Sequence, residues 1–167
     1  PSRVMVVYIV SYPTNPAILT EMRSFADTAG LTLIELPLSG VADIESALRG
    51  IADNDIPDAI QLMPDTITRT KEATQIILDY AHKHRIPVVG GPEQLLKSGT
   101  LLTIASDYRS QGKLAASIAD RIFKGVPAGT IPVVTPDMHL LVNYAKAREL
   151  GLTPSRGVLR QAKEIIR

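Results

Sequence analysis

The chain has no cysteine, no tryptophan, only two phenylalanines and almost no excess of charge of either sign. The lack of cysteine removes disulfides, thiolate zinc sites, a cysteine nucleophile and iron–sulfur clusters together. With aromatic residues at 4%, there is no platform on which nucleobases could stack. Eighteen Lys and Arg face 17 Asp and Glu, a net charge of +1, which offers neither nucleic acid nor an anionic membrane a surface to bind. No apolar run approaches the ~18 residues of a membrane-spanning helix, and no secretory signal is visible. Twelve prolines and eleven glycines in 167 residues are an ordinary load for a folded chain. Hydrophobic residues make up 45% of the chain, enough for one core, and the length suits one domain or one domain with a terminal extension.

What is present is an alternation of strand and helix. Val4 to Val10 is a continuous apolar run of strand length, the pattern of a strand covered on both faces. Ser11 to Pro16 is turn chemistry, with Asn15 as a candidate N-cap and Pro16 at the first helical position. Ile18, Met22, Phe25, Ala26 and Ala29 recur at helical spacing, and Gly30 ends that helix. Further strands are expected at 31–36, 59–63, 86–89 and 101–105. Helices are expected after Asp43, over 73–84, after Glu93 and after Asp107. Beyond Gly125 the rhythm breaks. Three prolines surround Val133 and Val134, Leu140 to Val142 reads as a strand, and helices are expected at about 143–150 and 155–166.

Five alternating units predict an α/β fold, a doubly wound and mostly parallel sheet with helices on both faces. The organisation reads as a lobe over 1–125 and a C-terminal strand and helix extension over 126–167. Ligands of such sheets bind beyond the carboxyl ends of the strands. Four loops lie there: Ser11 to Asn15, Pro64-Asp65-Thr66, Gly90 to Glu93, and Ser106-Asp107-Tyr108. Backbone N–H groups at the helix starts suit a carboxylate, and the Asp residues of the same rim suit an ammonium or hydroxyl. The ligand-binding candidates are therefore Ser11, Asn15, Asp65, Thr66, Gly91 and Asp107. Each has a purely structural alternative. Asn15, Thr66 and Asp107 stand where caps belong, and Gly90-Gly91 suits a tight strand-to-helix turn.

Catalytic signatures are lacking. His82 and His84 sit at a helix C-terminus, where cations suit the dipole, and His139 stands alone. Neither a Gly-x-Gly-x-x-Gly, nor a Lys-terminated phosphate loop, nor His-Glu-x-x-His, nor Gly-x-Ser-x-Gly occurs. A phospho-receiver needs an acidic cluster after the first strand, and Asp65 alone matches loosely. Arg69, Lys71 and Glu72 read as a solvated helix face. No cofactor and no metal is expected, and the chain is read as a non-enzyme.

The second half carries a more specific pattern. Asp107-Tyr108, Gly112, Ala115-Ala116, Asp120-Arg121-Ile122 and Lys124-Gly125 form one block, and Ile131-Pro132-Val133 with Pro136 the next. Leu141-Val142-Asn143, Ala145-Lys146-Ala147, Leu150-Gly151-Leu152 and Pro154 complete the order. Together with Asn15-Pro16, Ala29-Gly30-Leu31, Asp43-Ile44-Glu45 and His84-Arg85-Ile86-Pro87, this resembles the substrate-binding proteins of ABC transporters. The nearest group has the type I periplasmic-binding fold and is tied to tryptophan or tyrosine uptake. The likeness covers the second of that family's two lobes. Departures are the Thr103 to Ser106 stretch, where a glycine turn is usual, and His139, near a usual aromatic.

The resemblance implies a small amino-acid-like ligand, clamped between two lobes and delivered to an ABC permease in the periplasm or outside the cell. In that picture Asn15 holds a carboxylate, and Asp65 or Asp107 an ammonium. Two rival readings are a ligand-sensing module of a signalling partner and a small flavodoxin-like domain. If a first lobe is lacking, Ile131, Val133, Leu140, Leu141 and Val142 predict a homodimer or strand exchange.

Overall fold

The computed structural model describes residues 2–167. Seven strands form one sheet: β1 (Arg3–Ile9), β2 (Thr32–Leu38), β3 (Ala59–Leu62), β4 (Val88–Gly90), β5 (Leu102–Ser106), β6 (Met138–Asn143) and β7 (Ala162–Ile166). Their order is β2-β1-β3-β4-β5-β6-β7. The first five are parallel, β6 runs antiparallel to β5, and β7 is parallel to β6. The helices are α1 (Asn15–Ala29), α2 (Ile44–Arg49), α3 (Thr66–Arg69), α4 (Lys71–His84), α5 (Gln94–Ser98), α6 (Tyr108–Phe123), α7 (Tyr144–Glu149) and α8 (Arg156–Gln161). The doubly wound, mostly parallel architecture expected from the alternation is present.

The two faces of the sheet are filled unequally. On one, Met5, Val7, Ile60, Leu62 and Val88 pack under Ile44 and Leu48 of α2 and under Ala73, Ile77, Leu78 and Ala81 of α4. These side chains are almost completely removed from solvent and make up the main core. On the other face, Val6, Leu19 of α1 and Met63 form a much smaller cluster. The register carries this second face from Val6 through Gln61 and Val89 to Leu102. Two residues further along β5, Ile104 is 61% exposed. The helix that follows β5 does not cover it, because no residue of α6 is buried.

Several boundaries differ from the sequence reading. Thr14, not Asn15, occupies the N-cap of α1, so Asn15 is the first helical residue and Pro16 the second. Asp43 donates no cap to the helix after it and instead accepts a bond from the Gly40 N–H. The largest difference is at the C-terminus. The helix expected over 155–166 stops at Gln161, and Ala162–Ile166 is strand β7. The cause is tertiary: the edge of β6 offers unpaired backbone groups, and pairing Val142 with Ile165 and Asn143 with Ile166 satisfies them. Leu141 and Val142, expected to drive association, are buried inside the sheet by this arrangement.

The contrast between the packed face and α6 has a measurable consequence. Ile77→Ala is expected to cost about 2–5 kcal/mol, the usual range for deleting a buried aliphatic side chain. Phe123→Ser, at a residue 89% exposed, is expected to stay within about 0.5 kcal/mol. Urea denaturation of both variants checks the pair, and an equal loss at Phe123 would mean that α6 is packed in solution.

Candidate functional site

The carboxyl ends of β1, β3, β4 and β5 meet along one rim, and the loops leaving β1 and β3 are tied together by Asp65. This residue is fully buried. One carboxyl oxygen accepts the Ile9 N–H at 2.9 Å and the Asn15 Nδ2 at 3.1 Å. The other accepts the Ile67 N–H at 2.8 Å and so caps α3. The Asn15 amide also donates to the Ile9 carbonyl at 2.9 Å, and its Oδ1 is buried with no partner among the described residues. Thr68 donates its hydroxyl to the Asp65 carbonyl at 3.0 Å. Asn15 and Asp65 therefore engage each other and the ends of β1 and β3 beneath the rim.

Above them lies a cavity of about 600 Å³. Its walls come from three loops: Pro64, Thr68 and Arg69 after β3; Gly90, Gly91, Pro92 and Glu93 after β4; and Ser106 and Tyr108 after β5. Gln61, Leu62 and the β5 residues Leu102 to Ala105 form the floor. Gly90 and Gly91 both have positive φ, at 87° and 78°. A Cβ at Gly90 would meet the Gln61 side-chain amide and stand 2.9 Å from the Leu62 carbonyl, and one at Gly91 would stand 2.8 Å from Leu95 Cδ1. The backbone conformation favours glycine at both positions, and at Gly90 the Leu62 carbonyl leaves no room for a Cβ as well. Thr103 donates to the Gly91 carbonyl at 2.5 Å and pins the turn to β5.

Asp107 faces a neighbouring cavity of about 620 Å³, shared with Arg109, His139 and Lys163. Its Oδ1 caps α6 by accepting the Arg109 and Ser110 N–H groups at 3.0 and 3.1 Å. Its Oδ2 lies 3.4 Å from Lys163 Nζ and 3.8 Å from His139 Nε2. The Ser110 amide first, then Lys163 and the Arg109 amide, hold the Asp107 carboxyl below the usual carboxylate range against the opposing effect of partial burial.

Of the six residues expected at the site, Gly91 lines the first cavity and Asp107 the second. Asn15 and Asp65 lie under the rim, whereas Ser11 and Thr66 are exposed and line neither. The sequence reading missed Arg69, Glu93 and Tyr108 on the wall of the first cavity and Thr103 on its floor. Arg69 resembled a solvated helix face, and only its place four residues after Asp65, in the loop leaving a strand, distinguished it. No group of acidic or histidine side chains able to hold a metal ion occurs among the described residues.

Removing the Asp65 carboxyl leaves the Ile9 and Ile67 amides without an acceptor and the Asn15 side chain with only the Ile9 carbonyl. Each buried donor so stranded costs about 1–3 kcal/mol. Asp65→Ala is therefore expected to lose roughly 3 kcal/mol of stability, with Ser11→Ala close to neutral, by thermal or urea unfolding. A neutral Asp65→Ala would show that this bonding does not hold the rim.

Comparison with known proteins follows this geometry closely. The chain superimposes on a conserved domain protein from Vibrio cholerae with a TM-score of 0.81 at 24% identity, over 98% of this chain and 54% of that one. It also superimposes on an ABC domain in complex with L-Trp from Streptococcus pneumoniae, with a TM-score of 0.83 at 20% identity, over 99% of this chain and 55% of that one. A tyrosine-binding protein of Clostridioides difficile is 22% identical over 151 residues, which is 90% of this chain and 43% of that protein. The chain thus spans about half the length of these relatives. The model of the family described as ABC transporter substrate binding protein matches residues 2–166, from the first strand to the last. With its sheet, its rim and all but the extreme ends of its sequence inside that match, the chain belongs to the ABC transporter substrate-binding protein family.

Proposed function

We propose that this chain is a ligand-gripping lobe of an ABC-transporter substrate-binding protein that takes a small amino-acid-like solute, outside the cytoplasm, for a membrane permease. The observation that carries the reading is the rim cavity itself: polar groups from three post-strand loops converge over a largely apolar floor, with the loop after β3 fixed from below by Asp65 and the turn after β4 held by Thr103. Family membership supports the transport setting. The relatives named for tyrosine and solved with L-Trp support the ligand class. In this reading Gly91 and the loop around Asp107 meet the ligand, while Asn15 and Asp65 act by positioning the neighbouring loops after β1 and β3. Binding then shifts an open-to-closed equilibrium, provided the closed form grips the solute more tightly.

The lobe at 1–125 and the extension at 126–167 have different parts in this proposal. The segment from α6 to residue 137 leaves the sheet at Asp107 and returns beside it, the Asp107 N–H bonding the Asp137 carbonyl at 3.1 Å. Its apolar groups are bare, with Tyr108 71% and Val133 99% exposed. A second lobe, of the kind that would fill the remaining length of the relatives, is the partner this segment fits, and its cleft would close over the rim cavity. A chain lacking that lobe is expected to self-associate through the same surface, which keeps Val133 from the residues anticipated for a homodimer but not the buried Leu141 and Val142.

Two measurements test these statements. Amide chemical shifts recorded with millimolar L-tryptophan, L-tyrosine and a panel of other amino acids are expected to move at Gly90, Gly91 and the 103–108 segment. No movement with any of them would end the solute-binding reading. Light scattering between one and a few hundred micromolar is expected to show mass rising with concentration, and Phe123→Ser to lower it. A monomer throughout would end the self-association reading.

A further inference from the structure

The cavity is lined by a single positive and a single negative side chain, Arg69 and Glu93, and every other lining residue is uncharged. Arg69 closes the short helix after β3, and Glu93 stands on the loop after β4. Because β3 and β4 are neighbours in the sheet, the two loops are adjacent. Nearly every other polar group nearby is engaged. Asp65 is bonded to Ile9, Asn15 and Ile67, Thr68 to the Asp65 carbonyl, Thr103 to the Gly91 carbonyl, and the Gln61 amide to the Leu62 carbonyl. Arg69 and Glu93 differ from these: both are exposed, and neither side chain has a hydrogen bond or ion pair among the described residues. Asp107, the carboxyl at the adjoining cavity, is already occupied by the α6 amides and Lys163.

From this charge set we infer that Arg69 and Glu93 are the specificity-determining pair of the site, Arg69 holding the carboxylate and Glu93 the ammonium of a free α-amino acid. The inference rests on the solute-binding reading above and assigns the charge recognition to residues other than Asn15, Asp65 and Asp107. A guanidinium matches a carboxylate through two parallel N–H···O bonds, and a carboxylate accepts from an ammonium in the same charge-assisted way. The pair cancels, so a singly charged ligand leaves one of the two unmatched when the site closes, whereas a zwitterion matches both. The remaining walls, Leu62, Pro64, Pro92 and Ile104, offer no third charge, so the ligand's side chain is uncharged. The pair thereby selects against amides and acylated amines, each of which lacks one of the two charged ends.

The chain's lack of tryptophan makes the experiment direct, since added L-tryptophan emits without background of its own kind. Its fluorescence on titration with the protein, compared with L-tryptophanamide and N-acetyl-L-tryptophan, separates the two charged ends. The wild-type chain is expected to bind L-tryptophan at least tenfold more tightly than either derivative, the scale of one charge-assisted hydrogen bond. Arg69→Gln is expected to weaken L-tryptophan about tenfold while leaving the amide unchanged. Glu93→Gln is expected to weaken L-tryptophan similarly while leaving the N-acetyl compound unchanged, and Arg69→Lys to recover part of the loss. Both side chains are exposed, so the variants keep the fold, which circular dichroism verifies. If Arg69→Gln or Glu93→Gln leaves L-tryptophan binding intact, or weakens it and both derivatives equally, the assignment is wrong while the solute-binding reading stands. If the wild-type chain binds neither L-tryptophan nor any other amino acid in the shift titration, the solute-binding reading fails, and this assignment with it.

Discussion

One carboxyl group without solvent contact organises the working edge of this lobe. Asp65 takes a backbone donor from the end of β1, a side-chain donor from the start of α1 and a backbone donor from α3. Ile9 and Asp65 are 56 residues apart, so these bonds join segments that neither helix nor strand propensity would hold together. Burying such a group is costly unless its lone pairs are satisfied, and here three donors converge on it. Once it is in place, the loop after β3 has one arrangement, and Thr68 and Arg69 are delivered to the cavity wall. The paired positive-φ glycines at the end of β4 play the matching part on the other side, where the Leu62 carbonyl leaves no room for a side chain at Gly90 and the backbone conformation disfavours one at Gly91.

The sheet was legible because its signal is local and repeated. The Val4 to Val10 run, the apolar stripe ending at Gly30 and the stripe over 73–84 each report burial on a face, and burial follows hydrophobic periodicity. The family likeness was legible too, read from the order of short blocks such as Asp107-Tyr108 and Leu141-Val142-Asn143, and the family model matches residues 2–166. The last strand was not. Ala162 to Ile166 carries a helix-compatible pattern, and only the free edge of β6, invisible in a single segment, makes it extended.

The site was legible as a place and less so as a set of side chains. Topology alone put it on the loops after β1, β3, β4 and β5. Which polar residues point outward depends on which are consumed internally, and that is decided by contacts distant in sequence. Asn15 looked like a cap and a ligand group, yet a one-residue shift of the helix start turns its amide under the rim and against Asp65. Arg69 looked like surface charge, yet the shortness of α3 leaves it at the mouth of the cavity.

The single backbone bond between Asp107 and Asp137 closes a ring from which everything between hangs as an appendage. Ser106 and Met138 face each other across the antiparallel pair, so the sheet is continuous without the intervening stretch. Inside that ring, α6 keeps its own ladder of bonds, and none of its residues is fully buried. Its amides therefore open to solvent by a local fluctuation, whereas those of β1 and β3 exchange only when the lobe as a whole comes apart. On burial alone the appendage is the shallower part of the chain, and ordering it is expected to couple to whatever settles on it without disturbing the packed sheet.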